Sequence, residues 1–96
     1  MNDQLLTDEQ IEAEVANLNV GWSHIPGEGL VRVFETAGFA EGLALVERIG
    51  GAAERLTHYP EVTLRHDEVD VTAFTAELGG VTSDDIELAK AIDQDL

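Results

Sequence analysis

Thr57-His58-Tyr59-Pro60-Glu61 is the stretch on which the fold turns. A helical pattern stops at Glu54-Arg55-Leu56, and a strand pattern starts directly after Pro60. The stretch holds one of the chain's three histidines and one of its two prolines. Upstream, Phe39, Leu43, Val46, Ile49, Ala53 and Leu56 recur every three or four residues, which predicts an amphipathic helix over about 39–57. Gly50-Gly51 inside that pattern weakens it by about 1 kcal/mol per glycine relative to alanine. Close packing of the helix on the sheet, or on a neighbouring helix, is the expected reason for the pair. Downstream, Val62, Leu64 and His66 alternate with Thr63 and Arg65. Asp67-Glu68 reads as a turn, and Val69, Val71 and Ala73 then alternate with Asp70 and Thr72, on to Phe74-Thr75. A period of two on both sides of a turn predicts a hairpin.

Gly79-Gly80 ends the strand pattern, and Thr82-Ser83-Asp84-Asp85 has the form of a capping box. Ile86, Ala89, Ile92 and Leu96 give the core stripe of a last helix, about 83–94. Toward the N-terminus, Thr7 and Gln10 form another capping box before Ile11, Val15 and Leu18, predicting a helix over about 8–17. Gly21 to Ile25 and Leu30 to Glu35 read as strands around the turn Pro26-Gly27-Glu28-Gly29. Leu30, Arg32 and Phe34 share one face, and an arginine between apolar neighbours is expected at an edge or rim. Trp22 is expected in core or interface packing. The order α-β-β-α-β-β-α with short hairpins predicts an α+β domain, 1–96. Its four-stranded antiparallel sheet carries three helices on one face.

Composition narrows the function. Twenty acids against five bases leave a net charge of −15. That argues against nucleic acid, whose phosphates require Lys and Arg, and against anionic membrane surfaces. It suits solubility, or a basic patch on a protein partner. There are no cysteines, which fits a reducing compartment. Met1-Asn2-Asp3-Gln4 lacks the basic region of a targeting peptide, and no apolar run approaches a membrane span, so a cytoplasmic location is expected. His24, His58 and His66 lack metal-ligand spacing, and no metal or other cofactor is expected.

Ala53-Glu54, His58-Tyr59-Pro60-Glu61, Val69-Asp70-Val71-Thr72, Gly79-Gly80-Val81-Thr82, Asp85 and Leu88-Ala89 match a family pattern. Leu30-x-Arg32-x-Phe34 and Phe39 fit the elements before them. On these residues the chain resembles the pterin-4a-carbinolamine dehydratases, most closely over about 30–95. The resemblance implies their fold and a metal-free acid–base dehydration of a 4a-hydroxytetrahydropterin. That chemistry needs groups titrating near neutrality, hence histidines. Of the family's three, the first falls on His58, the second on Tyr59 and the third on Ala76. The pocket aspartate falls on Asp85, and Glu54, Pro60 and Glu61 complete the remnant of the pocket. Ala76 cannot move a proton, and a phenol with an ordinary pKa of about 10 is a poor base at pH 7. His66 is the nearest replacement by position.

A branch of relatives without the catalytic histidines, the dehydratase-like RuBisCO assembly factors of α-carboxysomes, is the one this chain looks like. By that resemblance the protein is non-catalytic and carboxysome-associated. The same resemblance implies that it binds the RuBisCO large subunit and forms a homodimer or a tetramer. The alternative is an active 4a-hydroxytetrahydrobiopterin dehydratase using His58, with His66 and Asp85. His58 reads equally as a pocket group or as a histidine at a helix C-terminus, where its charge suits the dipole. Tyr59 reads first as a packed aromatic, Asp85 as a helix-start acid, and Glu54 as a helix-end side chain near the old pocket.

Overall fold

The computed structural model describes residues 4–96, and the expectation placed on Met1-Asn2-Asp3 lies outside them. Helix α1 (Asp8–Val15) starts on the Thr7–Gln10 capping box, with both reciprocal hydrogen bonds made. Strands β1 (Ser23–Ile25) and β2 (Gly29–Glu35) form the first hairpin, and helix α2 (Phe39–Leu56) follows. Strands β3 (Glu61–Leu64) and β4 (Glu68–Ala73) form the second hairpin, and α3 (Ser83–Gln94) closes the chain. The sheet order is β1-β2-β4-β3, antiparallel throughout. The predicted α+β architecture is therefore present.

Alternation in β4 decides which side is buried. Val69, Val71 and Ala73 are fully buried, while Asp70 and Thr72 face the other side. Leu30 pairs with Ala73 and Phe34 with Val69 across the β2–β4 ladder, so they share the buried face. Leu45, Ile49 and Ala52 from α2, and Ile86, Leu88, Ala89 and Ile92 from α3, cover that face, with Ile11 and Trp22 at one end.

Four expectations need correction. In α2 the buried positions are Gly42, Leu45, Ile49, Ala52 and Ala53. Phe39, Leu43 and Leu56, read as core, are 53%, 48% and 41% exposed. The apolar arc of this helix is wider than the sheet can cover, and the three- and four-residue spacing fits either half of it. Nor do Gly50 and Gly51 sit under a neighbour. Both are exposed, a Cβ at Gly50 would meet nothing within 4 Å, and one at Gly51 meets only the Arg55 side chain. The close approach is at Gly42, where a Cβ would lie 2.7 Å from Leu64 Cδ1 and 3.4 Å from Val69 Cγ2.

Leu96, placed in the last helix's core stripe, is 51% exposed beyond the end of α3, and Leu88 is buried in its stead. Arg32, finally, is not at a rim. Strand β2 is interior to the sheet, and the Arg32 side chain is only 15% exposed. Asp93 near the end of α3 explains how a charge is tolerated there. Its Oδ1 accepts from Arg32 Nη1 at 3.0 Å and from Trp22 Nε1 at 2.8 Å, and its Oδ2 accepts from the Asn19 N–H at 2.9 Å. The guanidinium also lies 4.2 Å from the Phe34 ring centroid, a favourable cation–π distance.

Candidate functional site

The site begins with the way α2 ends. Pro60 disfavours helical backbone in the residue before it, and the chain turns out of the helix at Thr57. Thr57 adopts a left-handed conformation (φ 53°), the one non-glycine residue with positive φ among the described residues. A β-branched residue resists this conformation by about 1–2 kcal/mol, and strain of this kind marks positions whose geometry is held from elsewhere. The Thr57 N–H reaches back to the carbonyls of Ala53 and Glu54, and the His58 N–H donates to the Ala53 carbonyl at 3.2 Å. The backbone of His58 is therefore fixed by the helix terminus.

The ring of His58 is fixed by α3. His58 Nε2 lies 2.6 Å from Asp85 Oδ1. Asp85 is the third residue of α3 and is fully buried. Burying a carboxylate is costly unless its oxygens are satisfied. Here Oδ2 accepts from the Thr82 N–H at 2.9 Å and from the Thr75 hydroxyl at 2.8 Å. The first of these is half of the predicted capping box. The helix-start acid and the partner of the His58 ring are thus the same carboxylate, with Oδ2 at the helix start and Oδ1 on the ring.

The other sequence-predicted residues lie to the side of this pair. Tyr59, Glu61 and Ala76 line a cleft of about 500 Å³ with Gly27, Glu28, Thr72 and Phe74. Glu54, Tyr59 and Pro60 line a second, apolar hollow of about 220 Å³ against Val46, Ile49, Gly50, Ala53 and Val62. Tyr59 forms the wall between the two, 59% exposed rather than packed, which corrects the expectation of a packed aromatic. His58 and Asp85 line neither hollow. His66 is exposed in the β3–β4 turn, at the opposite end of β3 from Glu61, and replaces no missing group of the cleft. Among the described residues no group of His, Asp and Glu side chains could hold a metal ion.

Thr75 was not singled out in the sequence. It is buried, and its backbone pairs with Gly80 in the turn before α3. Its one signal in the sequence is its place directly before Ala76.

Tyr59 has its own electrostatics. A hydrogen bond to Glu54, reinforced by that carboxylate's charge, raises its pKa above the ordinary 10.0. Tyr59 is the chain's single tyrosine, so phenolate absorbance reads it alone. The midpoint is expected above 10.0 in the wild-type protein and closer to 10.0 in Glu54→Ala. A midpoint that Glu54→Ala leaves unmoved would show that the carboxylate does not hold the phenol. Because the folded pKa is raised, the stabilising contribution of this contact is present below the unfolded value and is lost as pH rises through the folded one.

A helix C-terminus and a helix N-terminus joined by a His–Asp hydrogen bond over a four-stranded antiparallel sheet define the class, a pterin dehydratase-type fold. Residues 4–94 match the model of the pterin 4 alpha carbinolamine dehydratase family, and the chain belongs to that family. A relative from Natronomonas pharaonis, "Putative pterin-4-alpha-carbinolamine dehydratase", is 38% identical over 98% of this chain and 97% of its own length. One of the same name from Nocardia farcinica is 37% identical over the same shares. The crystal structure of a transcriptional coactivator/pterin dehydratase from Brucella melitensis superposes with a TM-score of 0.85 at 28% identity, covering 96% of this chain and 98% of that one. No helix among the described residues is long and apolar enough to cross a membrane.

Proposed function

We propose that this member of the family acts by binding rather than by turnover. Its partner is a protein, for which the loss of histidines nominates the RuBisCO large subunit, with the carboxysome as the setting. One observation carries the first half: Tyr59 and Ala76, at the positions of two family histidines, line the same cleft. Ala76 has no proton to move, and the Tyr59 phenol is a poor base at neutral pH. Losing one positioned acid or base costs about 10²–10⁴ in rate, and here two are gone. The partner rests on the resemblance and on the acidic surface, which suits a basic patch. Self-association into a dimer or tetramer belongs to the same proposal.

A second reading, residual 4a-hydroxytetrahydropterin dehydratase activity, is favoured by the 2.6 Å His58–Asp85 contact, which retains one group able to act as acid or base. Stopped-flow dehydration of a 4a-hydroxytetrahydropterin separates the two. The expected rate lies within about tenfold of the uncatalysed one. A rate far above that, abolished by His58→Ala, would establish the enzyme and reject the binding role as the primary one. Pull-down of RuBisCO large subunit at low salt is expected to succeed and to weaken as salt is raised. No capture at low salt overturns that choice of partner.

A further inference from the structure

We infer that Thr75 is a positioning residue: its hydroxyl holds the Asp85 carboxylate turned so that Oδ1 meets His58, and Asp85 so held keeps the ring proton on Nε2. The proton directions follow from one fixed point. A carboxylate has no proton to give, so the single hydroxyl proton of Thr75 goes to Asp85 Oδ2, at 2.8 Å. Thr75 and Thr82 hydroxyls lie 3.0 Å apart. With the Thr75 proton already used, the Thr82 hydroxyl must be the donor in that contact. The Thr82 oxygen in turn accepts from the Asp84 N–H at 3.2 Å. The bonds therefore run in one direction, from the Asp84 amide through Thr82 and Thr75 to Asp85.

Asp85 Oδ2 is saturated by two donors, and Oδ1 faces Nε2 of His58. In the neutral ring Nε2 is then the N–H nitrogen, and Nδ1 is left as the acceptor. Both threonines are buried, Thr82 completely and Thr75 at 7% exposure, so water does not readily substitute for either hydroxyl. Thr82 occupies the N-cap and orders the start of α3, whereas among the described residues the Thr75 hydroxyl bonds within this chain of groups.

The inference gives the second reading its chemistry and rests on it in that respect. A proton taken from a ligand would go to Nδ1, and the Nε2–H···Oδ1 bond would stabilise the imidazolium formed. The orientation itself can be tested without turnover, so its failure is distinguishable from an absence of dehydration.

The test is the ¹⁵N spectrum of the imidazole nitrogens in the labelled full chain, at a pH where His58 is neutral, with His58→Gln for assignment. The wild-type protein is expected to show one tautomer, Nε2–H. Thr75→Val removes the donor that holds Oδ2, so the carboxylate is free to turn Oδ1 away from Nε2, and the ratio of Nε2–H to Nδ1–H is expected to fall by about tenfold. Thr75→Ser is expected to restore it. A wild-type Nδ1–H tautomer overturns the inference. So does a Thr75→Val protein that melts at a lower temperature with the tautomer ratio unchanged, since Thr75 would then be merely structural. If Thr75→Val does not fold, Thr75→Cys keeps the volume with a weak donor and is expected to fall between wild type and loss. An unchanged ratio in Thr75→Cys, alongside an unchanged ratio in Thr75→Ser, would equally count against it.

Discussion

Asp85→Ala is expected to destabilise the protein by about 3–5 kcal/mol, the usual consequence of removing one member of a buried, hydrogen-bonded pair. Three donors lose their acceptor together: His58 Nε2, the Thr75 hydroxyl and the Thr82 N–H. The side chains left behind are buried or nearly so, with His58 18% exposed. The Asp85 half of the α3 capping box is lost in the same step, while the Thr82 hydroxyl still accepts from the Asp84 N–H. For a domain of this size the melting temperature is expected to fall by at least roughly 12 °C. Asp85→Asn is the informative companion. It keeps an acceptor for Thr82 and Thr75 but presents an amide to His58, which can answer by moving its proton to Nδ1. Calorimetric melts are expected to place Asp85→Asn less than half as far below wild type as Asp85→Ala. Equal losses would show that the charge, not hydrogen-bond satisfaction, holds this junction together.

Asp93→Ala is the second large effect, expected at about 3 kcal/mol, again because a part-buried charge loses its partner. Arg32 Nη1, Trp22 Nε1 and the Asn19 N–H all converge on Asp93. Removing it leaves the Arg32 guanidinium under α3 without its carboxylate, beside the faces of Phe34 and Trp22, the latter 6.0 Å away. Trp22, 5% exposed, also loses the bond that orients its indole. As the chain's single tryptophan it reports directly, and its emission is expected to shift to the red in Asp93→Ala at temperatures below the melt. Asp93→Asn is expected to keep the indole bond and most of the emission position. An unshifted spectrum in Asp93→Ala, with stability lost all the same, would mean that Arg32 alone carries the effect.

The contrast between these two aspartates shows what the sequence could convey. Asp85 was legible because it belongs to a local pattern: a threonine three residues earlier makes a capping box whatever the rest of the chain does. Asp93 has no such pattern. Its partners lie 61 to 74 residues away, and only the packing of α3 on β2 brings them together. The strands and their faces were legible for the local reason, since a period of two fixes the inside once one buried valine is placed. The face of α2 was not. Its apolar arc is wide enough for two choices, and the choice is made by Gly42, where the backbone meets Leu64 and Val69 of the sheet. The pair Gly50-Gly51 drew attention because of its composition, whereas the contact that matters involves a single glycine two turns earlier.

For the site, the residue types were readable but their grouping was not. His58, Tyr59 and Ala76 were placed by resemblance in one pocket. The structure divides them, with His58 turned to Asp85 and the other two facing the cleft. A five-residue stretch after a helix carries no information about which side of the backbone each side chain takes until the left-handed turn at Thr57 is known.

The strand order β1-β2-β4-β3 also bears on how the chain reaches this state. Both hairpins are local, and such units form in about 1–10 μs. The central ladder is not local. Glu35 pairs with Glu68, so closing β2 onto β4 encloses all of α2 and β3 in one loop. That closure must precede most of its reward, since the valines of β4 become buried only when α2 and α3 lie over them. Conservative truncations at Val69 and Val71 are therefore expected to slow refolding, and equivalent changes in β1 to act mainly on the unfolding rate.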